Sequence, residues 1–276
     1  MLIKYRAEMI GETLGTFVLV LFGCGSVAVS VLFNAHQGLM QIAFAWGIGV
    51  TLAVYLTRQL SCAHLNPAVS IAMVISRRMH LQKLPAYLLA QFAGAFLAGL
   101  VLYLLYGPSI SSFENLHQIH RGLPGSIETA KMFGEYYKSE SSAAIVGFPL
   151  AFCAEMLGTI LLLLLIFALT EGCNVGRPDD ALAPMFIGLT VTSLICLIAP
   201  LTQAGLNPAR DFGPRMVSWI FGWGSAAFPD RIGGFFVVYM LAPVVGAIVA
   251  ALIFIKVLEP AMRSRSKVCV CNNNKP

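Results

Sequence analysis

The sequence predicts an all-α membrane protein with six transmembrane helices and two shorter, re-entrant half-helices. Hydrophobic residues occupy 58% of the 276 positions and charged residues only 11%, and the mean hydropathy is +0.78. A soluble domain carries about 25% charged residues. A bilayer can solvate this much apolar surface, whereas water cannot. Six long apolar stretches and two short segments that begin with Asn-Pro complete the case for a single membrane domain.

The six predicted spans each meet the length that a bilayer requires, about 20 mostly apolar residues. They lie at roughly 9–33, 40–58, 84–106, 148–169, 181–201 and 233–256. The first is too long for the core of a signal peptide and has acidic Glu8 and Glu12 at its start, so it is a retained span. The seven cysteines are odd in number and mostly accompany apolar stretches. They predict neither a disulfide framework nor a metal site.

The chain divides into two halves within one membrane domain, predicted over residues 1–258. The first half covers about 5–106 and the second about 148–258. Between them, 107–147 is polar and contains several Gly and Pro residues, so we expect a long external linker. The tail at 259–276 is polar as well and is expected to be disordered.

The two halves repeat each other in sequence. The run Glu12-Thr-Leu-Gly-Thr16 matches Glu155-Met-Leu-Gly-Thr159, and Leu65-Asn-Pro-Ala68 matches Leu206-Asn-Pro-Ala209. Landmarks in the same order indicate an internal repeat. Because each half has three spans, the second half enters the membrane in the opposite orientation. Broken helices at matching places in inverted halves indicate a solute pathway.

The two short segments are predicted to be half-helices that start at membrane depth. Asn is a strong N-cap, and Pro fits the first helical position because its missing N–H is not needed there. A helix N-terminus carries about half a positive charge, so two such ends facing each other oppose the passage of cations. Each Asn amide either only caps its helix or also directs an N–H to a passing solute. The motif residues are Asn66, Pro67, Ala68, Asn207, Pro208 and Ala209.

Two acidic residues, Glu12 and Glu155, lie within predicted spans. A carboxylate inside a membrane is functional by default. One explanation is a proton relay. The other is structural: each carboxylate accepts backbone N–H bonds from the loop before a half-helix and holds that loop. Their symmetric positions favour the structural explanation.

Two Asn-Pro-Ala motifs on half-helices within a repeated three-span unit resemble the aquaporin superfamily over about residues 5–258. The resemblance implies the aquaporin fold and a passive channel for small uncharged solutes. Such a channel excludes ions and protons, is not an enzyme and needs no cofactor or metal. It also implies a homotetramer in the lipid bilayer, with one pore in each subunit.

The same resemblance assigns the residues that line the pore. The selectivity filter is expected at Trp46, Ile195, Ala204 and Arg210, where the Arg210 guanidinium donates to solute oxygens and repels cations. Backbone carbonyls are expected to line one wall at Cys62, Ala63, His64, Leu65, Gln203, Ala204 and Gly205. For the imidazole of His64 we expect mainly a packing role. A polar wall facing an apolar one suits a polyol with a carbon backbone.

The residues around the second motif are similar to the glycerol branch of the family. Asp211 follows Arg210 directly, as in glycerol facilitators, and the histidine usual in water-specific members is replaced by Ile195. Ile195, Ala204 and Tyr239 depart from the bacterial facilitators, which have Gly at the first of these positions, an aromatic residue at the second and often Pro at the third. Tyr239 leans toward the water branch. We therefore expect glycerol and other small neutral solutes to pass together with water. The alternatives are a water-selective aquaporin and a proton-coupled transporter.

The distribution of positive charge predicts the orientation in the membrane. Of the 18 lysines and arginines, 12 fall on the side that holds both termini under this topology. That side is expected to be cytoplasmic. These basic residues flank apolar spans, so they do not indicate binding of nucleic acid. No targeting motif argues against the plasma or inner membrane.

Overall fold

The structure, a computed structural model, describes residues 2–36, 38–137, 146–229 and 234–272, with side chains between residues 4 and 265 of these ranges. Within this part the chain is helical and contains no strand. Six helices are long and apolar enough to cross a membrane, namely Arg6–Phe33, Leu39–Ser61, Leu81–Leu116, Phe148–Thr170, Ala183–Thr202 and Phe236–Arg265. The predicted all-α membrane fold with six spans is therefore confirmed.

The α-helices are numbered in chain order over the described residues. They are α1 (Arg6–Phe33), α2 (Leu39–Ser61), α3 (Pro67–Ile75), α4 (Leu84–Leu116), α5 (Ile127–Ala130), α6 (Phe148–Thr170), α7 (Ala183–Thr202), α8 (Pro208–Ser218), α9 (Ala242–Ile253) and α10 (Glu259–Asn272). Short 3₁₀ turns lie at Leu2–Tyr5, Leu81–Lys83, Pro124–Ser126 and Gly224–Ala226, and π-helical segments at Phe236–Leu241 and Phe254–Leu258. The chain is kinked within Trp219–Trp223, where Phe221 and Gly222 leave the helical conformation.

The half-helices are α3 and α8. With 9 and 11 residues, they are about 14 and 17 Å long, roughly half of the 30 Å bilayer core. Asn66 caps α3 by accepting a hydrogen bond from the N–H of Ala68 at 2.8 Å. Asn207 caps α8 by accepting from Ala209 at 3.1 Å and Arg210 at 3.3 Å. A proline at the first position lets each helix start abruptly, as the sequence predicts.

The helices pack so that each half-helix joins the opposite half of the chain. Within the first half α1 contacts α2 and α4, and within the second half α6 contacts α7 and α9. The half-helix α3 packs against α9, and α8 packs against α4. A further contact between α2 and α7 closes the bundle. The two halves are therefore interlocked, and neither half-helix is in place without the other half.

Glycines at matching positions let helices of each half approach closely. A Cβ on Gly94 of α4 would lie 2.2 Å from the carbonyl oxygen of Thr13 in α1. A Cβ on Gly246 of α9 would lie 2.6 Å from the carbonyl oxygen of Met156 in α6. Both distances are shorter than any side chain tolerates. Small residues at helix crossings are a general device of membrane proteins.

The segment predicted as an external linker is folded over much of its length. Helix α4 continues ten residues beyond the predicted end of the third span because its last turns still face protein. Ile110 is buried there, and Glu114 accepts hydrogen bonds from Arg121 and Thr129, each at 2.8 Å. Phe133 is also buried. Residues 138–145 of this linker lie outside the described part.

The predicted disordered tail is helical as far as Asn272, where α10 ends. Polarity alone suggested disorder, but Glu259 at the start of α10 pairs with two arginines. It contacts Arg78 at 3.5 Å and Arg263 at 2.7 Å. The contact with Arg78 joins the tail to the bundle, whereas Arg263 lies within α10 itself. Residues 273–276 lie outside the described part.

Gly94→Ala is expected to destabilise the protein by about 1–3 kcal/mol, the usual cost of overpacking a well-packed contact. Its new methyl group would meet a carbonyl oxygen of the main chain, which cannot move aside as a side chain can. The measurement is the midpoint of thermal unfolding in detergent. Gly25→Ala is the matched control, because its Cβ would meet only a methyl carbon of Leu102 at 3.7 Å. Equal midpoints for the two variants would contradict this account of the helix crossing.

Candidate pore and selectivity filter

Glu12 is completely buried in α1 and binds the loop that precedes α3. Its carboxylate accepts the backbone N–H of His64 at 2.9 Å and that of Leu65 at 2.7 Å. The side-chain amide of Gln91 also donates to it, at 2.6 Å. Through these hydrogen bonds Glu12 fixes the position of the loop, although it lies some fifty positions earlier in the sequence.

Glu155 makes the equivalent contacts in the second half. It is completely buried in α6 and accepts the backbone N–H of Gly205 at 2.9 Å and that of Leu206 at 2.7 Å. The hydroxyl of Thr202 donates to it at 2.5 Å. These are the contacts expected of a carboxylate that supports a loop, and the loop before α8 is held in the same way as the loop before α3.

The two supported loops have an unusual backbone conformation. Non-glycine residues with positive φ are uncommon, and here they recur at matching places in the two loops. They are Cys62, Ala63 and Leu65 in the first loop and Gln203, Ala204 and Leu206 in the second, with φ between 51° and 66°. This conformation turns successive peptide groups in a way that a helix or strand does not. The same repeated loop supplies backbone N–H groups to the carboxylate.

The repeated Glu-x-Leu-Gly-Thr run also explains its glycine. A Cβ on Gly15 would lie 2.4 Å from a methyl carbon of Leu65, and a Cβ on Gly158 would lie 2.6 Å from a methyl carbon of Leu206. In each half the glutamate lies one helical turn before the glycine. The glutamate accepts the backbone N–H of the leucine, and the glycine leaves room for the side chain of the same leucine. The motif therefore fixes the loop in two ways: the carboxylate binds the loop backbone, and the glycine accommodates the leucine side chain.

The N-termini of the two half-helices meet through reciprocal hydrogen bonds. The amide of Asn66 donates to the carbonyl of Leu206 at 3.0 Å. The amide of Asn207 donates to the carbonyl of Leu65 at 2.8 Å. Each Asn side chain thus caps its own helix through its oxygen and binds the opposite loop through its nitrogen. An amide nitrogen has two hydrogens, so one remains for another acceptor.

A cavity of about 490 Å³ runs past this meeting point. Both Asn66 and Asn207 line it, together with most of the predicted carbonyl wall, namely Cys62, Ala63, His64, Leu65, Ala204 and Gly205. Its lining also includes the basic residues Arg58, Arg78, His80 and Lys83, as well as Trp46, Ile195 and Arg210. Gln203 is not among these lining residues; its side-chain oxygen accepts the N–H of Tyr136 at 2.9 Å.

All four predicted filter residues line this cavity. The guanidinium carbon of Arg210 lies 4.1 Å from the centre of the Trp46 ring. At that distance the two planes are in contact and no solute fits between them. Ile195 and Ala204 are buried beside the same lumen. A solute beside these residues therefore meets the planar guanidinium of Arg210, the indole of Trp46 and the apolar side chains of Ile195 and Ala204.

The sequence analysis missed an acidic residue that pairs with Arg210. Glu135 forms a buried ion pair with the guanidinium of Arg210. Its backbone is held in turn by a second buried pair, Asp211 and Arg215: the Glu135 N–H donates to Asp211 at 2.7 Å, and its carbonyl accepts from Arg215 at 2.6 Å. Arg215 also donates to Asp211 at 2.8 and 3.1 Å. Asp211, predicted only as a marker of the glycerol branch, thus supports the loop that carries Glu135.

The position of Glu135 could hardly be recognised from the sequence. It stands in a polar linker, where a carboxylate is usually solvated, and no periodic pattern surrounds it. The preceding Gly134 is the one local signal, and its meaning depends on the fold. A Cβ there would lie 2.7 Å from the guanidinium carbon of Arg215.

Comparison with known proteins agrees with this architecture. The family model described as major intrinsic protein matches residues 2–254. The glycerol uptake facilitator protein of Escherichia coli K12 is 40% identical over 92% of this chain and 88% of its own length. The propanediol uptake facilitator of Citrobacter freundii is 39% identical over 90% and 91%. The X-ray structure of the aquaglyceroporin from Plasmodium falciparum is 29% identical and covers 94% of this chain and 98% of its own, with a TM-score of 0.81. The chain is an integral membrane protein that belongs to the major intrinsic protein family.

Proposed function

We propose that this protein is a passive channel for glycerol and other small uncharged solutes together with water. The observation that carries the proposal is the cavity that the reciprocally bonded Asn66 and Asn207 line together with Trp46 and Arg210. Relatives named as glycerol and propanediol uptake facilitators support small polyols as the solute class. The proposal involves no covalent step, so the chain acts as a channel and not as an enzyme.

The walls of the cavity suit a solute with hydroxyl groups on one side and carbons on the other. The loops before α3 and α8 present backbone carbonyls, which accept hydrogen bonds from solute hydroxyls. The carbonyls of Leu65 and Leu206 each already accept an Asn amide, and an sp² oxygen can accept a second bond. The opposing surface includes the apolar side chains of Val50, Val54, Leu162, Ile187 and Val191. Glycerol has this same two-sided character.

Exclusion of ions rests on two positive features of the lumen. As in aquaporin-type pores generally, the half-helix N-termini point their partial positive charges at the midpoint, and an arginine stands in the narrowest part. The remaining amide hydrogens of Asn66 and Asn207 orient a passing oxygen as an acceptor. A water molecule so oriented cannot pass a proton along a continuous wire.

Glu135 sets the charge of the filter in this proposal. A guanidinium that lacks a counter-charge in a dry site holds a water oxygen strongly, because charge-assisted hydrogen bonds are about twice as strong as neutral ones. Pairing with Glu135 reduces this attraction and occupies one of the guanidinium N–H groups. The other donors of Arg210 have no hydrogen-bond partner among the described residues and are available to the solute. Water and polyol are thus bound weakly enough to leave.

The membrane orientation and the assembly belong to the same proposal. We place both termini on the cytoplasmic side because that side carries most of the positive charge; protease protection of a terminal tag tests this. We also propose a homotetramer, in which every subunit has its own pore, since the cavity lies within one chain. Chemical cross-linking of the purified protein tests the number of subunits.

Vesicles that contain the purified protein should shrink and then recover their volume when glycerol is added outside. The shrinkage reports water flow and the recovery reports entry of glycerol, both faster than in protein-free vesicles. The measurement is light scattering after rapid mixing, repeated with a panel of neutral solutes. Fast water flow without recovery would assign the protein to the water-selective class. A proton current under the same gradients would rule out a passive channel.

Glu135→Gln is expected to lower water permeability about threefold or more, equivalent to about 0.7 kcal/mol. The variant removes the negative charge but keeps the size of the side chain, so Arg210 retains its full positive charge toward the lumen and holds water longer. Glycerol permeability should fall less, because the carbons of glycerol also contact Trp46.

Glu128→Gln is the control for Glu135→Gln. Glu128 pairs with Lys131 in the same folded linker, and its side chain is 44% exposed. It should leave both permeabilities at the level of the unaltered protein. An unchanged water permeability in Glu135→Gln would remove Glu135 from the filter.

Arg210→Ala is expected to raise cation and proton leak, because it deletes the filter charge and leaves the Glu135 carboxylate without its partner. The double variant Arg210→Ala with Glu135→Gln should leak less than Arg210→Ala alone, since it removes that unpaired negative charge. Leak is measured as current across planar bilayers. Arg177→Ala, which removes an arginine paired with Asp180 outside the spans, is the control. Equal leak in the unaltered protein and in Arg210→Ala would refute this role.

A further inference from the structure

A groove on the outer surface of the bundle has no part in the pore. Its volume is about 600 Å³, and it lies on one face of α1 against Leu97 of α4. The α1 residues that line it recur every three or four positions from Arg6 to Phe17. Four of these six are apolar and the other two are Arg6 and Thr13. Ile10 and Leu14 are 49% and 39% exposed. The groove is thus an open, mostly apolar depression on the surface, with Arg6 at one end.

The length of the groove matches one leaflet of a bilayer. From Arg6 to Phe17 the helix rises about 17 Å, while half of the bilayer core is about 15 Å. The inner end is at the midplane, because neighbouring Gly15 contacts the side chain of Leu65. The carbonyl of Leu65 accepts the Asn207 amide at the meeting point of the half-helices. Arg6, at the first residue of the span, is therefore at the level of the lipid headgroups.

The charge at the outer end of the groove is unpaired. Arg6 makes no hydrogen bond or ion pair with any residue that the structure describes, and its side chain is exposed. The nearest carboxylate along α1, Glu8, is occupied by Lys83 at 2.8 Å. A cation without a counter-ion at headgroup depth attracts anionic lipids.

We propose that this groove binds one anionic phospholipid from the leaflet on the side of the N-terminus. An acyl chain lies along Ile10, Leu14 and Phe17, and the phosphate contacts Arg6. The proposal does not depend on the solute that the pore carries. The length of the groove fits one leaflet, its apolar lining fits an acyl chain, and Arg6 fits the phosphate.

The test is native mass spectrometry of the purified, delipidated protein mixed with equal amounts of phosphatidylglycerol and phosphatidylcholine that share the same acyl chains. The first bound lipid should be phosphatidylglycerol at least three times as often as phosphatidylcholine. Arg6→Gln should bring this ratio close to one. Leu14→Trp, which fills the groove but keeps Arg6, should reduce binding of the first phosphatidylglycerol severalfold.

Two control variants leave the groove intact. Arg77→Gln removes another exposed arginine, and Leu89→Trp adds an indole at an exposed position of α4 outside the groove. Both should behave as the unaltered protein does. Equal binding of the two lipids to the unaltered protein, or an unchanged ratio in Arg6→Gln, would overturn the proposal. Phosphatidylglycerol binding that Leu14→Trp does not change would also overturn the proposal. That result is expected if the headgroup binds without its acyl chain, or if a second copy of the protein covers the groove.

Discussion

Glu12 and Glu155 each bind two backbone N–H groups of the loop in front of a half-helix, and the pathway depends on these four bonds. The loops contain left-handed residues that cost about 1–2 kcal/mol each. A hydrogen bond to a charged group contributes about 1.5–3 kcal/mol, so the two effects are similar in size. The supported loops then deliver Asn66 and Asn207 to each other at the midpoint. These contacts give each carboxylate within the spans a structural role.

The filter end depends on a different support, which only the second half of the chain has. Arg210 and Asp211 follow the second Asn-Pro-Ala motif, whereas Val69 and Ser70 follow the first. Ser70 accepts a hydrogen bond from Gln91 at 2.9 Å. Asp211 instead joins Arg215 in holding the loop that carries Glu135. The repeat accordingly produces a symmetric midpoint, whereas the buried pair of Arg210 and Glu135 belongs to the second motif alone.

The lumen exposes polar backbone groups, whereas the outer surface of the bundle exposes apolar side chains. Inside, exposed backbone polar groups are tolerated because they face a wet cavity, and the half-helices can begin at membrane depth for the same reason. Outside, the helices present side chains such as Phe22, Leu104 and Leu105 to lipid. Arg6 is an exception at the edge of this surface, and its level in the bilayer gives it access to headgroups. The position of each charge relative to water therefore decides its role.

The sequence by itself determined the six spans, the two half-helices and the pairing of Glu12 with the first and Glu155 with the second. These features follow from local patterns: runs of apolar residues, Asn-Pro caps and a repeated motif, each of which is readable within a short window. Only the tertiary structure decided that the linker folds over α4, that Gln203 binds Tyr136 outside the cavity lining and that α10 continues the tail. It also decided that Glu135 pairs with Arg210. The physical reason is that a lone charge or amide in a polar segment carries no period, so its partner is set by distances across the fold.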